Sequence, residues 1–137
     1  MYIRTDKISK KRTGYKVLFK KDGKYYSSFT GQRIKVGDVP DPPKYAYRLS
    51  GYWSADFDYQ MFNKCGFYDS SFAGFTAAYI FKDAVIELLS KMKVYFVHAG
   101  YTPVIVKITF AVAFIGVYRD NAVIAGTKIT KLTEVKF

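Results

Sequence analysis

The sequence predicts an α+β fold, in which a mainly antiparallel β-sheet carries one main helix packed on one of its faces. Two strand-like segments flank an Asp-Gly step at Asp22 and Gly23, which is typical of a β-hairpin. A single segment, about residues 75–93, repeats its apolar residues at spacings of three and four, as an amphipathic helix does. Most of the segments after residue 93 are rich in β-branched and aromatic residues, and they predict further strands.

Residues 1–13 are polar and basic. We predict that they form a basic N-terminal arm or a short edge strand ahead of a single α+β domain over residues 14–137. Between residues 4 and 24 the chain carries nine basic residues against the acidic Asp6 and Asp22, namely Arg4, Lys7, Lys10, Lys11, Arg12, Lys16, Lys20, Lys21 and Lys24. Such an arm either contacts phosphate groups or is a solvated tail.

The predicted hairpin has strands at about residues 15–19 and 24–30, and a third short strand follows at residues 33–36. Alternation divides the first strand into an apolar face and a cationic face, with Tyr15, Val17 and Phe19 against Lys16, Leu18 and Lys20. Two interpretations follow. The lysines solubilise the exposed face of a half-buried hairpin, or the basic aromatic hairpin is a platform for nucleic acid or a nucleotide.

The sequence predicts irregular structure for much of the middle of the chain. Three prolines interrupt residues 37–43, which predicts a surface loop, and residues 44–50 are compatible with a short strand. Residues 51–74 combine glycines with many aromatic side chains. This stretch is either the over-aromatic part of a core under a long loop or the wall of a pocket.

The remaining elements follow the predicted helix, in which Asp83 and Glu87 come early and Lys91 late, as the helix dipole favours. Residues 94–98 predict a strand, and residues 104–117 predict the longest one, bulged at Gly116. Alternation in this long strand places Lys107 and Thr109 on one face. A turn at residues 119–121 leads into a strand at 122–125, and an alternating strand at 127–135 closes the sheet.

Composition favours an anionic partner. The 137 residues carry a formal net charge of +11, and 19% of them are aromatic. Phosphate backbones, anionic membrane surfaces and acidic proteins all attract such a chain. The longest apolar segment, residues 104–118, is shorter than a membrane span and is interrupted by Lys107. With no apolar run at the N-terminus, we expect a soluble intracellular protein without membrane contacts.

Candidates for catalysis are few. His98 is the only histidine, and Cys65 is the only cysteine, which predicts neither a disulfide nor a zinc site. Asp56 and Asp58 could bind a cation or act together, but in a loop they more often only solvate the chain. We therefore expect no metal and no cofactor. A small enzyme acting on a nucleotide through Asp56, Asp58 or His98 stays open as a third possibility.

Several segments together resemble a loose group of small uncharacterised domains of phages and large viruses. They are Tyr15-Lys16-Val17, residues 22–29, Val36-Gly37, the predicted helix at 81–92, the strand at 104–110, and residues 125–129. Residues 51–74 depart from that pattern. The resemblance implies a viral or mobile-element origin and an α+β sheet domain, located in the host cytoplasm or in the virion, and it implies no activity.

Two functions are predicted as near equals. The first is a non-enzymatic domain that binds nucleic acid or a nucleotide, with Lys10, Lys11, Arg12, Lys16, Lys20, Lys24, Arg33 and Lys35 on phosphates, and Tyr25, Tyr26, Tyr52 and Trp53 stacking on bases. The alternative is a structural or host-interaction protein, a virion component or an inhibitor. Its Tyr-rich interface would bind an acidic protein or a second copy of the chain.

Overall fold

The computed structural model describes residues 2–27, 32–39, 76–93, 100–118 and 120–137. These ranges contain ten strands and one helix. In chain order they are β1 Tyr2–Ile8, β2 Thr13–Lys21, β3 Lys24–Tyr26, β4 Arg33–Ile34, β5 Gly37–Asp38, β6 Thr76–Tyr79, α1 Lys82–Lys93, β7 Thr102–Phe110, β8 Phe114–Tyr118, β9 Asn121–Gly126 and β10 Lys128–Val135.

All ten strands belong to one sheet, ordered β1-β8-β9-β6-β2-β7-β10-β5, with β3 paired to β2 and β4 paired to β3. Every pairing is antiparallel. The mostly antiparallel sheet with one helix is therefore confirmed for the described ranges. Tyr2–Ile8 form β1, which pairs with β8 at the end of this order.

The hairpin between β2 and β3 forms where its turn chemistry predicts it. Asp22 and Gly23 have φ angles of 52° and 75°, and Lys21 pairs with Lys24 across the two-residue turn. Two consecutive residues with positive φ match the right-handed twist of the flanking strands. The second strand is described to Tyr26, and residues 28–30 of its predicted length lie outside the described ranges.

The predicted helix begins too early. Thr76–Tyr79 form β6 between β9 and β2, and the helix begins at Lys82. All four residues of β6 are buried, with Ala77 and Ala78 in the two different apolar clusters of the sheet. This segment lies between two strands, where its small side chains fit. Its tertiary position therefore overrides its local helix propensity.

The long strand predicted at residues 104–117 is two strands. Its break lies at residues 111–113, where the backbone turns to other partners. Ala111 donates its N–H to the carbonyl of Lys128, and Ala113 accepts from the N–H of Ser9. The bulge predicted at Gly116 is wrong, because Gly116 pairs in regular register with Val123.

The sheet curls strongly at the corner between β9 and β10. Thr127 alone joins these strands, although β6, β2 and β7 lie between them in the sheet. Four strand spacings would be about 19 Å in a flat sheet, whereas the two residues from Gly126 to Lys128 span about 7 Å at most. The curl encloses an inner cluster whose fully buried members include Leu18, Val106, Ile108, Phe110, Ile124 and Ile129.

A second cluster lies on the other face of the central strands. It combines Val85 of α1 with Val17 and Phe19 of β2 and Ile105 of β7. Leu18, between Val17 and Phe19, belongs to the inner cluster, so β2 is buried on both faces. The prediction that Lys16 and Leu18 lie on an exposed face of this strand is therefore wrong, because the curled sheet covers both side chains.

Candidate anion-binding surface

Four of the predicted binding residues meet at the tip of the hairpin. Exposed Lys24, Arg33 and Lys35 line a depression of about 200 Å³ together with half-buried Tyr25, which packs against the inner cluster. The other described residues that line it are Gly23, Ile34, Val36 and Leu132, and none of these described residues is acidic. We call the depression and its three basic side chains the hairpin surface.

Strand pairing explains why these side chains point outwards. Tyr25 pairs with Ile34, and Tyr26 pairs with Arg33, between β3 and β4. Ile34 is only 4% exposed and packs in the inner cluster. Since neighbouring residues of an extended segment point to opposite sides, an inward Ile34 turns Arg33 and Lys35 towards solvent.

Lys20 lies beside this surface, but its charge is already paired with an acidic residue. Its Nζ lies 3.3 Å from Glu134 Oε2 and 5.9 Å from the centroid of the Tyr25 ring. The ion pair offsets its charge, and the cation–π contact helps to hold the Tyr25 ring. Lys20 therefore positions Tyr25 more than it offers a separate phosphate contact.

Tyr26 is engaged in the fold. Its ring meets that of Tyr101 edge-to-face, with centroids 5.5 Å apart and planes at 85°. Lys21 Nζ lies 4.9 Å from the centroid of Tyr101, so Tyr101 ties the hairpin to the start of β7. Sequence reasoning did not single out this contact, because it joins residues far apart in the chain.

The other predicted residues lie elsewhere. Lys16 is 6% exposed, and its Nζ donates to the Ala77 carbonyl at 3.1 Å, so it is an interior residue and no surface ligand can reach it freely. Lys10 is exposed ahead of β2, whereas Lys11 and Arg12 line a groove on another part of the sheet. Tyr52 and Trp53 lie outside the described residues, as do Asp56, Asp58, Cys65 and His98.

The described ranges contain no group of three or more His, Cys, Asp or Glu residues that could hold a metal ion. No helix in those ranges is both long enough and apolar enough to cross a membrane. The chemistry available at the hairpin surface is therefore that of Lys and Arg donors beside an aromatic ring, which binds anions and planar groups.

Comparisons of the chain with protein-family models, with curated proteins and with solved structures found no match.

Proposed function

We propose that the protein binds nucleic acid or a nucleotide through the hairpin surface. The observation that carries the proposal is the grouping of three exposed basic residues, Lys24, Arg33 and Lys35, at one depression with Tyr25, where none of the described lining residues is acidic. Lys and Arg neutralise phosphates and release their counterions, which supplies most of the affinity of non-specific binding.

Arg33 and Tyr25 give the surface more than charge. A guanidinium offers a planar set of donors that fits two phosphate oxygens at once. Tyr25 packs partly against the inner cluster and contacts Lys20, so its ring is ordered, and stacking of a base on its exposed part would add about 1–3 kcal/mol. Single-stranded nucleic acid, whose bases are free to stack, is the form that suits this pair.

We take α1 to cover the face of β2 that carries Val17 and Phe19, which leaves the part of the sheet formed by β3 and β4, where Lys24, Arg33 and Lys35 are exposed, open to a ligand. The presence of Val85 in one cluster with Val17 and Phe19 supports this arrangement. The viral or phage origin, and with it a site of action in the host cytoplasm or the virion, remains a prediction from the resemblance of the sequence.

Fluorescence anisotropy with a labelled single-stranded oligonucleotide tests the proposal. The triple variant Lys24→Ala, Arg33→Ala, Lys35→Ala should bind about tenfold or more weakly at low salt, because up to three phosphate contacts are lost. A control variant, Lys7→Ala, Lys91→Ala, Lys136→Ala, removes the same charge from exposed positions outside the hairpin surface. It should bind within about threefold of the unmodified protein.

Equal weakening in the two triple variants would show that net charge, and not this surface, drives binding. Absence of binding by the unmodified protein would contradict the proposal outright. A protein that purifies without nucleic acid and stays oligomeric in high salt would favour the structural or host-interaction function instead. Thermal unfolding of both variants shows whether they are folded.

A further inference from the structure

A second basic site lies on the other side of β10. It is an open groove of about 780 Å³, and its lining includes Lys11, Arg12, Lys107 and Lys131. None of the described residues that line it is acidic. In β10, Leu132 lines the hairpin depression, whereas its neighbours Lys131 and Thr133 line the groove. Since neighbours in a strand point to opposite faces, the groove and the hairpin surface are separate sites.

The floor of the groove is a regular lattice of hydroxyl and ammonium groups on β2, β7 and β10. Thr109 pairs with Thr13 on one side and with Lys131 on the other. One row further along, Lys107 pairs with Tyr15 and with Thr133. Cross-strand partners have Cβ atoms about 5 Å apart, so the two rows bring three threonine hydroxyls and two ammonium groups together on one small area.

A bulge in β10 places Lys131 in this lattice. Ile129 pairs with Phe110, and the next pair is Lys131 with Thr109, so Thr130 is an extra residue in the ladder. The Thr130 hydroxyl donates to the carbonyl of Thr109 at 3.2 Å. Without the extra residue, strict alternation would put Thr130 opposite Thr109. Bulges of this kind commonly change the direction of a side chain next to a site.

Specific contacts hold the other donors. The Oγ1 atoms of Thr13 and Thr109 are 3.0 Å apart, and the hydroxyl that accepts in this pair still has its own hydrogen to donate. Arg12 Nη1 donates to the carbonyl of Ala111 at 3.1 Å. Lys11 Nζ lies 5.2 Å from the centroid of the Phe81 ring. Both cations at the rim therefore have partners that restrict their side chains.

We propose that this groove binds a phosphate or diphosphate group of a small ligand such as a nucleotide. Such a group has several acceptor oxygens and more than one negative charge, which matches converging hydroxyl, ammonium and guanidinium donors. The lattice spans three strands, about 10 Å across. A lattice of that width fits one phosphorylated group.

Isothermal titration calorimetry with pyrophosphate and with ADP tests the groove. The unmodified protein should bind pyrophosphate with one saturable site, and ADP should compete with pyrophosphate for that site. Lys107→Ala with Lys131→Ala should weaken this binding about tenfold or more, because two of the converging charges are lost. Lys24→Ala with Lys35→Ala removes the same charge from the hairpin surface and should leave pyrophosphate binding within about twofold.

Thr109→Val removes the central hydroxyl and keeps the shape and charge of the groove. Weaker pyrophosphate binding by this variant would therefore show that the ligand contacts this hydroxyl and is not held by non-specific electrostatic attraction alone. The groove proposal is overturned if neither probe saturates the unmodified protein, or if the groove and hairpin pairs of substitutions weaken binding equally. Oligonucleotide binding that depends on Lys24 and Lys35 would still support the hairpin proposal after such a result. The two proposals can therefore be rejected independently. Tighter binding of ADP than of pyrophosphate would assign the ligand to the nucleotides.

Discussion

Lys16 shows how burial removes a charged residue from a binding surface. Its side chain is 6% exposed, and its ammonium donates to the Ala77 carbonyl at 3.1 Å, linking β2 to β6. The aliphatic stem fills the interior while the charged end is satisfied by hydrogen bonding. Its contribution is therefore to stability, although the sequence places it among the exposed hairpin lysines.

Lys16→Ala should lower the free energy of unfolding by about 1–3 kcal/mol, because it leaves a cavity and removes a buried hydrogen bond. Its oligonucleotide affinity should be unchanged under conditions where it is folded. Lys24→Ala should do the reverse, with weaker binding and unchanged stability, since Lys24 is exposed. Urea unfolding and anisotropy on both variants check the pair, and a loss of affinity in folded Lys16→Ala would contradict the assignment.

Gly126 is needed at the corner where the sheet curls. A Cβ atom at this position would lie 2.6 Å from Phe110 Cδ1 and 2.8 Å from the Val112 carbonyl oxygen. Phe110 itself is 1% exposed, so neither group moves easily. Close packing of a ring onto a glycine lets the single residue Thr127 connect β9 to β10.

Gly126→Ala should destabilise the protein by about 1–3 kcal/mol through overpacking. In a Phe110→Leu background the same substitution should cost less, because the smaller side chain leaves space for the new methyl group. Unfolding free energies of the four proteins in this double-mutant cycle measure the coupling. Additive effects would mean that Phe110 does not set the requirement for glycine.

At the scale of elements, the register of β10 allows its bulge to be tested by deletion of a single residue. Removing either Thr130 or Lys131 abolishes the bulge and keeps the following residues in register with β7. The two proteins then have the same length and differ in one side chain, which is lysine or threonine opposite Thr109. Both deletions should fold with similar stability, since Leu132 keeps its partner Ile108.

The deletion that keeps Lys131 should retain pyrophosphate binding in the groove, and the deletion that keeps Thr130 should weaken it several-fold. Calorimetry on the two proteins measures this difference, with circular dichroism as the check that both sheets form. Equal binding by the two proteins would show that Lys131 contributes nothing to the groove.

Elements defined by local chemistry could be predicted from the sequence, and those defined by distant partners could not. The Asp22-Gly23 turn carries its own conformational preference, and the alternation after it depends only on neighbouring residues. The strand identity of Thr76–Tyr79 depends on β9 and β2, which lie far away in the chain. The break at residues 111–113 likewise depends on Ser9 and Lys128.

The candidate site follows the same division. The exposure of Lys24, Arg33 and Lys35 could be predicted because they stand in a short hairpin and its neighbouring strand, where alternation suffices. The burial of Lys16 was missed because it needs the curl of the whole sheet. Lys107 and Thr109 were placed on one face by alternation, but their meeting with Lys131 depends on a bulge. The spacing of three between Ile129 and Leu132, which share the inner cluster, is the signal for that bulge.

For the whole molecule, a net charge of +11 raises the local concentration of any anion, so attraction alone cannot identify a site. Two groups of basic residues line separate depressions, one at the hairpin and one in the groove. The hairpin surface offers an aromatic ring with the charges, and the groove offers hydroxyls. These different partners predict different ligands, a single strand for the hairpin surface and a phosphorylated small molecule for the groove.

The salt dependence of oligonucleotide binding tests the central claim most directly. Each phosphate contact on a single strand contributes about −0.7 to the slope of log K against log salt. Three contacts at Lys24, Arg33 and Lys35 therefore account for about −2 of the slope. The triple alanine variant should lose that amount, and the control variant at Lys7, Lys91 and Lys136 should keep it. Equal slopes in the unmodified protein and the hairpin variant would contradict the account.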